Sequence, residues 1–146
     1  MRELPRQLSA DELAGLFEGR TRFVDRLARE PDPLVRARTL VHELPHDEKL
    51  EILAAHPAIG QRTGLSARSA VEQGADADPE VLSELARLNG EYESRHGFRF
   101  VVFVNRRPKA EILEVLESRI DNSTDDELET ALDELVAIAE DRWSSA

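Results

Sequence analysis

Histidine is the residue type to weigh first here, because the chain has four histidines and no cysteine. Disulfides, thiolate nucleophiles and cysteine-based metal centres are therefore excluded. Any catalysis must come from imidazole, carboxylate, guanidinium or hydroxyl groups. The most conspicuous pattern is HELPH, His42 to His46, which fits the HExxH form of zinc peptidases. That chemistry needs both imidazoles on one face of a continuous helix. Pro45 removes an amide and clashes one turn back, so the sequence predicts a helix end and a new start rather than a zinc ligand pair. No HxxGxxH pattern downstream supplies a third ligand, and no metal is expected.

His56 is the quieter candidate. It closes a helical run against Pro57, which predicts a ring projecting from a fixed position, and imidazole titrates near neutral pH. The ordinary reading of such a residue is a partner of the helix dipole. Ser69, Glu72 and Gln73 follow at i, i+3 and i+4, on one face of a short helix over about Ser66 to Gln73. They either line a polar pocket or form a solvated face; a carboxylate beside His56 would orient the ring. Arg142 borders the apolar arc of the last helix. It either snorkels to water or holds an anion in a bidentate fork.

The elements that must position these groups read as helices. SADE at Ser9 to Glu12 is a capping box opening a helix through Leu13, Leu16 and Phe17. TRFVDRLARE places Phe23, Val24 and Leu27 on one face, Leu34 to Glu43 forms a further helix, and DEKLEILAAH leads to His56. Val81, Leu85, Leu88 and Tyr92 form one stripe of a helix from Pro79 that ends at His96-Gly97. A helix follows Pro108, with Ile112, Leu113, Val115 and Leu116. STDD, Ser123 to Asp126, caps the last, whose apolar face is Leu128, Leu132, Leu135, Val136, Ala139 and Trp143. Phe98 to Val104 (FRFVVFV) has strand propensity but no convincing partner, so its backbone groups must be satisfied by side chains, by water or by a flat, amide-rich ligand. The expectation is an all-α fold, one multi-helix domain over residues 1–146 with about seven to eight helices and a short extended segment near 98–104.

The formal charge of −11 argues against a nucleic-acid partner, which would demand a concentrated basic face. The opening MRELPRQLSADEL has no apolar signal core and no long hydrophobic span follows, so neither membrane insertion nor export is expected and the default location is cytoplasmic.

Taken in order, FVDRLA, AAHPAIG, SAVEQ, LNGEYESRHGFRFVVFV and VAIAEDRW resemble the successive blocks of the 2-oxo-4-hydroxy-4-carboxy-5-ureidoimidazoline (OHCU) decarboxylase family. The similarity runs from about Leu8 to Trp143. It implies an all-α domain, often a homodimer, that converts OHCU to (S)-allantoin and carbon dioxide in urate oxidation without metal or organic cofactor. By matching motif it assigns catalysis to His56 with Glu72 as its carboxylate partner. It assigns substrate contacts to Pro57, Ser69, Gln73, Arg142 and backbone groups at Phe100 and Val101. Loss of carbon dioxide leaves a carbanion that the substrate itself delocalises, so the protein has to orient it and move protons. The chain differs from the common pattern in HPAIG, where many members have HPDLA, in a shorter 57–71 stretch, and in FEGRTRFV, where members commonly carry an E-x-SPW-like sequence. Those differences leave open a related ureido or imidazolone acid as substrate; a non-enzymatic acidic helical module is the other alternative.

Overall fold

Local signals at Ser9 and Pro45 decide where the first helices begin and end. The computed structural model describes residues 7–56 and 78–145. Ser9 accepts from the Glu12 amide and Glu12 returns the bond to the Ser9 amide, completing the capping box that opens α1, Ala10–Phe17. Thr21 caps α2, Arg22–Leu27, by accepting from the Val24 amide at 3.3 Å. Pro33 begins α3, Pro33–His42, where its missing N–H costs nothing. Pro45 stands at the N-cap of α4, His46–Ala54.

The described residues fall into two compact units. The first comprises the chain up to His56 together with Leu132 onward. Within it α1 packs on α2, and α2 on α3 and α4. Leu13, Phe17, Phe23, Val24, Leu27, Ala37, Val41, Ile52 and Leu53 are all fully buried. Phe17 and Phe23 meet edge to face at 5.5 Å between ring centres, a geometry worth about 0.5–1.5 kcal/mol beyond the area it buries.

The second unit runs to Ala131 and holds α5, Pro79–His96, and α6, Lys109–Arg119, packed on one another. It also holds the extended segment and the first turns of α7, Thr124–Ser144. Of the expected α5 stripe, Leu85, Leu88 and Tyr92 are buried, whereas Val81 in the first turn is only half-buried. Gly97 ends α5 in the left-handed conformation, φ 81°, with its N–H on the Glu93 carbonyl at 2.8 Å.

Residues 98–104 pair in no sheet; among the described residues the fold is all-α, with seven helices. Side chains take up part of the segment's backbone capacity. Arg119 Nη1 donates to the Val101 carbonyl at 3.0 Å, and Arg107 donates to the carbonyls of Phe103 and Val104. Arg119 also stacks over the Phe100 ring. Its Nε donates to Glu127 Oε1, which accepts from the Tyr92 hydroxyl as well, while Glu127 Oε2 accepts from Asn122. Glu127 is wholly buried, and each of its oxygens is hydrogen-bonded. Burial, followed by donation to Glu127, pushes the Tyr92 phenol above its ordinary range.

Candidate active site

His42 and His46 are separated by the break that Pro45 imposes: one ends α3, the other begins α4. His42 Nε2 lies 2.7 Å from Asp133 Oδ1, so this ring belongs to a partly exposed polar cluster with Arg38. Among the described residues, no group of three histidine, cysteine or acidic side chains is arranged to hold a metal.

His56 follows α4 in a tightened final turn, its N–H on the Leu53 carbonyl at 3.2 Å. Its side chain does not face solvent as a simple dipole partner would; the residue is 4% exposed. Burial, and after it the Arg142 cation, pushes the imidazole down to about 4, with the Glu18 carboxylate opposing both. The ring is therefore neutral near pH 7, able to accept a proton or to share the one it carries.

Arg142, in the last turn of α7, is 5% exposed and turns inward rather than snorkelling. Its Nη1 donates to the carbonyls of Gly15 and Leu16 at 3.4 and 3.1 Å, and its Nη2 to Glu18 Oε1 at 2.9 Å. The carbonyls lie at the negative end of α1, where a cation is electrostatically favoured. Glu18 is the C-cap of α1 and adopts a left-handed backbone, φ 65° and ψ 16°. That conformation costs a non-glycine residue on the order of 1–3 kcal/mol and persists only where surroundings enforce it. Here the enforcing contacts are the backbone bonds from the Glu18 and Gly19 amides to the Ala14 carbonyl and the buried pair with Arg142.

Inside the first unit, then, Arg142 and Glu18 form a buried ion pair whose two charges act on the neutral His56 ring. Glu18 escaped the sequence reading because an acidic residue beside Gly19 in FEGRTRFV looks like an ordinary helix end. The available signal was weak: glycine usually takes the left-handed position after a helix, and here it stands one place late. Phe100 and Val101 lie in the second unit, both buried, with the Val101 carbonyl already bound by Arg119. Pro57, Ser69, Glu72 and Gln73, and the short helix expected over 66–73, lie outside the described residues.

An all-α chain that buries a neutral imidazole beside an ion-paired guanidinium has the makings of a protein that handles protons and small anions without thiol chemistry. The sequence profile of the family described as OHCU decarboxylase matches residues 2–144. A relative from Haloferax volcanii named 2-oxo-4-hydroxy-4-carboxy-5-ureidoimidazoline decarboxylase is 38% identical over 114 residues, 72% of this chain and 67% of the relative. One of the same name from Halalkalicoccus jeotgali is 36% identical over 103 residues, 68% of this chain and 58% of that protein. A crystal structure of OHCU decarboxylase in the presence of (S)-allantoin superposes with a TM-score of 0.77 at 26% identity, covering 92% of this chain and 96% of that one. The chain belongs to the OHCU decarboxylase family.

Proposed function

We propose that this protein is a carboxy-lyase that decarboxylates OHCU to (S)-allantoin in urate degradation, with His56 as its proton-transfer group. Family membership supports the reaction. The observation that carries the assignment to His56 is a buried, neutral imidazole whose charge balance is set by Arg142 and Glu18. As the carboxylate leaves, its bonding electron pair passes into the unsaturated ring, and no electron-sink cofactor is needed. For each carboxylate lost, one proton must be taken up from solution and delivered to a single ring face. A neutral imidazole held in place does this by shuttling between its two protonation states. Binding the substrate anion beside it raises its proton affinity toward the working pH.

Arg142 supplies the cation that attracts the substrate carboxylate. Glu72 is the proposed carboxylate partner of His56, with Pro57, Ser69, Gln73 and the backbone at Phe100 and Val101 as further substrate contacts; the motif resemblance supports this set. We extend the proposal to a homodimer located in the cytoplasm. Light scattering on the purified protein and fractionation of cells check these two points.

The decisive experiment generates OHCU in situ from urate with urate oxidase and hydroxyisourate hydrolase, then follows the handedness of the allantoin by circular dichroism. Wild-type protein is expected to accelerate the decay and yield one enantiomer. Racemic product at the uncatalysed rate overturns the reading.

A further inference from the structure

The strongest feature left unused by this scheme is the carboxylate at the end of α1. Three observations bear on Glu18. Its backbone is left-handed where glycine is the inexpensive choice, and the neighbouring Gly19 shows that the turn contains one. Its carboxylate is paired with Arg142 at 2.9 Å, the two side chains being 12% and 3% exposed. Finally, it stands at the negative end of α1, an unfavourable place for an anion unless a cation is fixed there too. A residue that only finished the helix would need the left-handed backbone but neither the buried carboxylate nor its ion pair with Arg142.

We propose that Glu18 is a positioning residue of the acid–base site: it clamps the Arg142 guanidinium through Nη2 while the α1 carbonyls hold Nη1, and so sets the charge that His56 meets. This rests on the proposed role of Arg142 in holding the substrate carboxylate. With Nη1 on Gly15 and Leu16 and Nη2 on Glu18, the planar guanidinium is fixed through both terminal nitrogens. The pair also leaves His56 beside a neutralised cation rather than a bare one. Among the described residues, Arg142 on α7 and Glu18 at the end of α1 are the charges acting on His56.

Two readouts test the proposal in Glu18→Gln, which keeps the shape and removes the charge. NMR titration of the His56 ring across the acid range reads the charge balance without reference to activity, and steady-state kinetics on OHCU reads the clamp. The expected result is a His56 midpoint below the wild-type value and a KM raised about tenfold with kcat much less affected, the loss of one charge-assisted hydrogen bond. Either quantity remaining at its wild-type value overturns the proposal. Glu18→Asp, which keeps the charge and adopts the left-handed backbone more readily, should restore the His56 midpoint while KM stays raised. Should Glu18→Gln fail to fold, an unchanged KM in Glu18→Asp is enough to overturn the clamp. A wild-type protein inert toward OHCU would remove the proposed function, whereas the His56 titration would still decide whether Glu18 sets its charge.

Discussion

At the scale of single residues, the site depends on holding an imidazole neutral. His56 is pushed down to about 4 mainly by burial and then by Arg142. Its basic form therefore persists well below the range in which a solvated histidine loses it. The acid limb of kcat/KM, which reports the free protein, is expected near that value. The limb for kcat, which reports the substrate complex, is expected at higher pH because the bound anion favours imidazolium. A pH–rate series over both parameters checks this, and coincident limbs would contradict it. His56→Asn should lower kcat about 10²–10⁴-fold, the usual span for a general acid–base group, with KM little changed if Arg142 holds the substrate as proposed. Stopped-flow decay of OHCU with the variant measures that loss.

At the scale of elements, capping and a buried carboxylate govern stability. Gly97 sits at φ 81° with nothing within 4 Å of where a Cβ would stand, so Gly97→Ala meets no clash and its cost is purely conformational. We expect about 1 kcal/mol of destabilisation, read from urea unfolding, with no change in m-value. In the second unit, Tyr92→Phe removes the 2.6 Å bond to Glu127 while leaving that carboxylate paired with Arg119 and Asn122. The expected loss is about 1–2 kcal/mol, that of one hydrogen bond to a charged acceptor. Glu127→Leu should cost more, since it strands the buried Arg119 guanidinium beside Phe100.

At the scale of the whole molecule, the same buried histidine couples folding to pH. A group bound less tightly by protons in the native state is protonated preferentially on unfolding, so stability falls as pH falls. For His56 the contribution is fully present above about 6.5, the ordinary histidine value, and is lost as pH drops through that range toward about 4. The full span amounts to about 3 kcal/mol at roughly 1.4 kcal/mol per pH unit. Urea titrations at several pH values should show this slope, and it should flatten in His56→Asn. The surplus of acidic groups behind the −11 charge lies largely on exposed helix faces, in pairs such as Arg87 with Glu84 and Glu91. Such pairs are screened by salt and add little to stability.

The sequence by itself determined the seven helices of the described residues, because their signals are local. The capping box at Ser9, the stripe through Leu85, Leu88 and Tyr92, and the break at Pro45 each depend on residues within a few positions of one another. The order of its blocks also determined the family. Spacing alone could not decide what surrounds a side chain once distant helices meet. His56 and Arg142 are 86 positions apart in the chain, and their mutual influence exists only because α7 returns to the unit that α1 and α4 begin. The tertiary structure likewise decided that Arg142 turns inward to the α1 carbonyls, that Arg119 binds a carbonyl of the extended segment, and that Glu18 pairs with Arg142. Burial and long-range electrostatics are properties of three-dimensional surroundings, which no short window of sequence contains.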